Sequence, residues 1–219
     1  MQIAVLGTGV VGQTLAERFD DLGHEAIIGT RNVDTTMTNA PFAAWAAAHS
    51  AVRVGTFAEA AGFGSIVVNA TSGSASLAAL TAAGTEQLAD KVLIDASNPL
   101  DFSQGFPPSL FVKDTDSLAE RVQAAFPAAR VVKTLNTMTA GLMAHPQQLA
   151  GGDHSVFVSG DDAAAKAEVT ELLLSMGHTD VIDLGDLSTA RGVEMFLPLW
   201  LRLMGALGTA DFNIKVVRH

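Results

Sequence analysis

The sequence contains no cysteine and no tyrosine. The first absence excludes disulfides, thiolate metal sites and a cysteine nucleophile. The second removes the Tyr-x-x-x-Lys proton donor of the common short-chain alcohol dehydrogenases. Charge is scarce at 16% of residues, and 23 acidic against 13 basic side chains leave a formal net charge of −10. That field repels a phosphate backbone and no basic cluster relieves it, so no nucleic-acid partner is expected. Long apolar runs are missing too. The longest, Val193 to Gly208, is interrupted by Glu194, Pro198 and Arg202 and is too short for a membrane span. The start, Met1-Gln2-Ile3-Ala4-Val5, leads straight into a strand with no charged leader or cleavage site, so a cytoplasmic protein is expected. No His, Asp or Glu spacing suggests a metal site, and none is expected.

What is present is apolar. Hydrophobic residues make up 48% of 219, with a mean hydropathy of +0.31, enough for a substantial core. Short apolar runs at Gln2–Leu6, Glu25–Ile28, Val52–Val54, Ser65–Asn69, Val92–Asp95 and Arg130–Lys133 read as strands. Helical spacing lies between them, over Val10–Leu22, Pro41–His49, Phe57–Ala61, Leu77–Ala83, Glu86–Leu88 and Ser117–Phe126. Ser97–Asp116 reads as a long loop and Asn136–His154 as irregular. A strand at Ser155–Val158, a helix at Asp161–Ser175 and a strand at Thr179–Asp183 follow. The chain then ends in a helix over Ser188–Leu207, kinked at Pro198. Alternating strands and helices predict a doubly wound α/β fold on a mostly parallel sheet. The expected division is a nucleotide domain over residues 1–135 and a small α/β extension over 136–219.

The turn Gly7-Thr8-Gly9-Val10-Val11-Gly12 directly follows the first strand and opens the first helix. In this context the three glycines serve a tight turn, close approach to a pyrophosphate, and close helix–strand packing, which is the Rossmann dinucleotide fingerprint. The helix N-terminus offers its free N–H groups to the phosphates. NAD-binding versions place an acidic residue at the end of the second strand for the ribose 2′-hydroxyl. Here that strand ends Gly29-Thr30-Arg31-Asn32. A hydroxyl followed by a guanidinium suits a 2′-phosphate, so NADP(H) is the expected cofactor. Asp34 lies past the turn and reads as a solvated charge.

Further candidates stand at the carboxyl ends of later strands, where such sheets bind ligands. Asn69, Ala70, Thr71 and Ser72 would line the cofactor ribose. Ser97, Asn98 and Pro99 would orient the nicotinamide end, or form an ordinary polar turn. Asn136, Thr137 and Met138 would floor a flat ring as positioning groups, and Lys133 would pair with Asp95. No catalytic proton donor stands out. Arg191 and Glu194, three apart on a helix face, read as a structural pair. His145, His154 and His178 read as surface histidines. Met195, Phe196, Leu199, Trp200, Leu203 and Met204 make an apolar helix face expected to form a homodimer interface, with a wall for the acceptor as the secondary reading.

These residues together resemble the NADPH-dependent deazaflavin reductases, enzymes that pass hydride between NADP(H) and coenzyme F420. The resemblance is carried by Leu22-Gly23-His24-Glu25-Ala26-Ile27-Ile28-Gly29-Thr30-Arg31, by Gly160-Asp161-Asp162, and by the run Asp183 to Arg191 with Glu194 and Leu197-Pro198-Leu199. Phe212-Asn213-Ile214-Lys215 is similar as well. The resemblance implies that Thr8 lies against the pyrophosphate, and that Thr30 and Arg31 hold the 2′-phosphate. It also implies that the loop from Asn136 to Ala140 lies by the nicotinamide, with the Phe212 region nearby. Asn136-Thr137-Met138-Thr139 departs from the family's His-Thr-Ile-Pro. The fold group also includes reductase domains of membrane ferric reductases, so fold alone leaves the acceptor open. Hydride transfer to a deazaflavin or flavin ring needs mainly ring positioning. Reduction of an imine or carbonyl needs a proton source. Reductases of imine, carbonyl or ferric-chelate substrates, and a non-catalytic NADP(H) redox sensor, are the alternatives.

Overall fold

The computed structural model describes residues 1–218. Its centre is a sheet of six parallel strands. In chain order the strands are β1 (Gln2–Leu6), β2 (Glu25–Thr30), β3 (Arg53–Thr56), β4 (Ile66–Asn69), β5 (Val92–Asp95) and, after a short hairpin of β6 (Leu100–Asp101) and β7 (Ser109–Leu110), β8 (Arg130–Lys133). Their spatial order is β3-β2-β1-β4-β5-β8. Winding therefore reverses between β1 and β4, and such a switch point opens a crevice at the strands' carboxyl ends.

Strand alternation sends side chains to two cores. One face carries Ile3, Val5, Ile28, Val68, Ile94 and Val132 under α1 (Val10–Asp21). The other carries Leu6, Ile27, Val67, Leu93 and Val131. The short helices α2 (Val33–Met37) and α3 (Ala40–Ala48) lie between β2 and β3. The second core packs under α4 (Phe57–Phe63), α5 (Gly73–Ala83), α6 (Thr85–Leu88) and α7 (Leu118–Ala125). The first core continues without a break into α8 (Ala140–Ala144) and the unit β9 (Ser155–Val158), α9 (Ala163–Met176), β10 (Asp180–Asp183). β9 and β10 pair in parallel, and an antiparallel bridge between Lys133 and Ser159 ties this unit to β8.

The predicted last helix is divided. α10 (Ala190–Met195) gives way at Phe196 to α11 (Leu197–Leu207), because Pro198 is tolerated only in a first turn. The region 97–116 is not entirely loop, since it holds the β6–β7 hairpin. The segment 136–154 contains α8 and two 3-10 turns. α2 was not legible in the sequence; Asn32 caps it by accepting a hydrogen bond from the Thr35 N–H at 2.8 Å. The final residues run beside β9, where the Ser155 N–H donates to the Ile214 carbonyl, and Lys215 and Arg218 pair with Asp180. Among the described residues no helix is long and apolar enough to cross a membrane.

Candidate functional site

The glycine turn sits at the switch point. Gly7 holds φ +122°, and a Cβ there would lie 2.7 Å from the Ala70 carbonyl oxygen at the end of β4. A Cβ on Gly12 would sit 2.0 Å from the Gly7 carbonyl oxygen, so α1 approaches its own turn more closely than any side chain permits. Gly9 meets the opposite condition: nothing lies within 4 Å of the position a Cβ would take. Gly9 is also the N-cap of α1 and provides no side-chain cap. Among the described residues the Val10 and Val11 N–H groups that open this helix have no acceptor, and unpaired amides at a helix start are the arrangement that takes up a phosphate.

From this turn a groove runs both ways. One arm, about 360 Å³, is lined by Gly7, Thr8, Gly9, Arg31 and Phe57, and by the α5 face of Ala75, Ala78, Ala79 and Ala82. These alanines recur at helical spacing, so their small side chains leave the face of α5 low. The other arm, about 550 Å³, runs past Val10 and Val11 to Ser97, Asn98, Asn136 and Met138. Ala70, Thr71 and Ser72 line both arms and join them. Volumes of this size are those of small-molecule sites.

At the first arm, Arg31 is exposed and makes no ion pair among the described residues. Thr30 is buried, with its hydroxyl 2.6 Å from that of Thr36. Asn32 spends its side-chain oxygen on the cap of α2.

The second arm is built on buried polar contacts. Asn69 is wholly buried; its amide donates to Asp95 Oδ1 at 2.9 Å and to Ser76 Oγ at 3.0 Å, and its oxygen accepts from the Thr71 hydroxyl at 2.7 Å. Its side chain therefore fixes the loop 69–72, leaving Ala70, Thr71 and Ser72 to face the groove. Asn136 Nδ2 donates to Asn98 Oδ1 at 2.9 Å and to the Val193 carbonyl at 3.1 Å, and Asn98 Nδ2 returns a bond to the Asn136 carbonyl at 2.9 Å. Leu135, immediately before, holds φ 65°, a left-handed conformation uncommon for a leucine, and sets this turn. Met138 and Ala140 also line the arm, whereas Thr137 and Pro99 are buried beside it. The outer wall comprises Leu100, Phe102, Met143, Leu197 and Trp200, of which the sequence offered only Trp200, as a secondary reading of its helix face. The signal for Trp200 was its place on an apolar helix. Phe212 stacks on it at 5.1 Å, behind the wall.

Beneath the floor lies an ion cluster. Lys133 pairs with Asp95 at 2.8 Å, as expected, and also with Glu194 at 3.0 Å; the lysine and aspartate side chains are fully buried. Burial pushes the Lys133 ammonium toward deprotonation, but the two carboxylates outweigh it and hold its pKa above the ordinary lysine value. Glu194 further accepts the Leu118 and Ala119 N–H groups at 2.8 and 3.1 Å, capping α7. The expected Arg191–Glu194 pair is thus corrected. α10 turns Glu194 inward to the Lys133 ammonium and the start of α7, while Arg191 reaches Glu120 on α7 at 2.9 Å. The hydrogen bond from Arg191 lowers the Glu120 pKa despite partial burial.

The histidine expectations divide. His145 is partly exposed, but His154 and His178 are buried, because each finds a backbone partner inside: the Pro146 carbonyl at 3.1 Å and the Met143 carbonyl at 3.0 Å.

The family described as "NADP oxidoreductase coenzyme F420-dependent" matches residues 2–99. Rat metalloreductase STEAP3 is 31% identical over 206 residues, 91% of this chain; the chain spans only 38% of that relative's length. The F420-dependent NADP reductase of Methanothermobacter thermautotrophicus is 30% identical over 209 residues, covering 93% of this chain and 89% of that protein. A crystal structure from Arthrobacter sp. FB24, provisionally assigned as an F420-dependent NADP-reductase, is 61% identical over the whole of both chains, with a TM-score of 0.98. With a curated relative similar over nearly all of both lengths, the chain belongs to the F420-dependent NADP oxidoreductase family.

Proposed function

We propose that this protein moves hydride between NADP(H) and a planar deazaflavin, coenzyme F420, or a flavin-like ring. The observation that carries the reading is the two-armed groove meeting at an uncapped helix N-terminus. In this reading a dinucleotide lies along both arms, its nicotinamide end and the second ring sharing the 550 Å³ arm. That open space also distinguishes an enzyme from a non-catalytic sensor, which has no use for it.

When bound, the nicotinamide supplies the hydride. The chain's own residues bind, orient and exclude water. The amides of the turn from Gly7 to Gly12 hold the pyrophosphate, with Thr8 beside it. Arg31 neutralises the 2′-phosphate, and the buried Thr30 holds the base of that turn. Thr71, Ser72, Ser97 and Asn98 hold the ribose and carboxamide side, and Asn136 locks the floor on which Met138 and Ala140 meet the ring. Leu197, Trp200 and Phe102 supply an apolar wall for the second ring. No side chain at this wall is an obvious proton donor, which suits a ring that delocalises its incoming charge better than it suits a carbonyl or imine. Residues 1–135 form the nucleotide part in this reading, and 136–219 complete the acceptor side. α11, with one charged residue in eleven and only Leu197 buried, pairs with a second copy in a cytoplasmic homodimer.

Loss of NADPH absorbance against deazaflavin, flavin, ferric chelate and small carbonyl acceptors tests the reading. Fast single-turnover oxidation by the deazaflavin is expected; a rate no greater than in buffer alone refutes that acceptor. Arg31→Ala should weaken NADPH about tenfold to a hundredfold and leave NADH unchanged. Equal weakening of both removes the 2′-phosphate role. A monomer mass independent of concentration removes the homodimer.

A further inference from the structure

We propose that the buried Asp95–Lys133–Glu194 cluster biases the nicotinamide site electrostatically, its surplus negative charge favouring the oxidised, cationic ring over the reduced, neutral one. This rests on the nucleotide reading above.

The charge assignment follows from the partners. Asp95 receives bonds from Asn69 Nδ2, from the N–H and hydroxyl of Ser97, and from Lys133 Nζ. Glu194 receives the two amides that begin α7 and the same ammonium. Every partner is a donor, a set that only ionised carboxylates use in full. One ammonium shared by two carboxylates leaves a formal charge of −1, which the α7 N-terminus offsets in part. Lys133 retains its proton, since the paired carboxylates outweigh its desolvation.

The position follows from Ser97. This residue lines the cleft, its hydroxyl donates to Asp95 at 2.7 Å, and its carbonyl accepts from Lys133. One residue therefore separates the cluster from the space assigned to the nicotinamide. Charges buried this completely are little screened by salt. Nicotinamide gains a positive charge on giving up hydride, while its phosphates and riboses stay the same. The two redox forms differ at the point where the cluster acts.

The experiment is equilibrium binding of NADP+ and NADPH to the full chain. The unmodified protein should bind NADP+ more tightly than NADPH, and a preference for NADPH overturns the proposal without any variant. Glu194→Gln removes one negative charge while keeping an acceptor oxygen for one of the two α7 amides. It should raise the ratio of the NADP+ to the NADPH dissociation constant about fivefold to tenfold, the scale of one partly compensated charge at an effective dielectric constant of about 20. Glu120→Gln, which removes a carboxylate bound to Arg191 on α10, should leave the ratio unmoved. If E194Q weakens both forms equally, the cluster is structural only and the proposal falls. Should E194Q fail to fold, Asp95→Asn and the wild-type ratio decide by the same criterion. Failure of the wild-type protein to bind either form overturns the nucleotide reading and this inference with it. Binding of both forms with an unmoved ratio overturns this inference alone.

Discussion

The two arms of the groove are built by different means. At the phosphate arm, Gly7, Gly9 and Gly12 shape the site within one turn of chain, and the proposed contact with the ligand falls to backbone amides. At the other arm, Asn136 must meet Asn98, 38 residues away, and Val193, 57 residues away. Glu194 must also reach the start of α7, 76 residues back. The first arm is specified locally; the second exists only once distant segments have docked. Damage to the first should always show in nucleotide affinity, with or without a loss of stability, and damage to the second mainly in stability.

The largest effect expected is from Lys133→Ala. It leaves Asp95 and Glu194 buried without their shared cation, and breaking a buried ion pair from one side costs about 3–5 kcal/mol. Urea unfolding of wild type and variant measures this. A loss below about 1 kcal/mol would mean that the acceptor arm does not depend on the cluster. Gly12→Ala should cost about 3 kcal/mol, since its Cβ would lie 2.0 Å from a backbone oxygen that cannot step aside. Here the stability loss should come with loss of nucleotide affinity, because α1 must move away from its own turn. A variant that melts early yet binds NADPH normally would erase the distinction between the arms.

The same contrast explains what could be read in the sequence. The strands, the glycine turn and the absence of an acidic residue after β2 are local features of composition and spacing, and the sheet order follows from winding rules. Asp95–Lys133 was legible because both residues are charged ends of strands that read as buried. Glu194 was misassigned because helical spacing placed it beside Arg191, and spacing carries no information about which face of α10 meets β8. His154 and His178 were read as exposed because their partners, the Pro146 and Met143 carbonyls, belong to a segment with no periodic pattern. Phe102 gave no signal as a cleft residue, and Trp200 only a secondary one, for a similar reason: an apolar side chain at a wall looks, in sequence, like one in a core or an interface.

Acid provides the finest test of the contrast. His178 Nε2 faces the Met143 carbonyl and so carries the proton of that bond; a second proton must go to Nδ1, which is buried without a partner. Burial, helped by the nearby His154 and opposed by the Met143 bond, lowers the His178 pKa from 6.5 to about 4. The unfolded chain therefore binds this proton more readily than the folded one. Its contribution to stability is complete above about pH 6.5, falls as pH drops from there toward about 4, and is gone below. Over that window the loss is about 3 kcal/mol. His178→Leu forgoes the Met143 bond, about 1 kcal/mol at neutral pH, and removes the titration. Urea melts from pH 8 down to 4 should thus start with the variant less stable by about 1 kcal/mol, cross as pH falls, and leave the variant the more stable of the two near pH 4. Met143 lines the acceptor arm, and neither His178 nor Met143 is among the residues lining the phosphate arm. Mild acid should therefore weaken binding of the whole dinucleotide more than binding of an adenosine 2′,5′-bisphosphate fragment. Parallel melting curves, or equal acid sensitivity of the two ligands, would show that the arms respond to protonation as one unit.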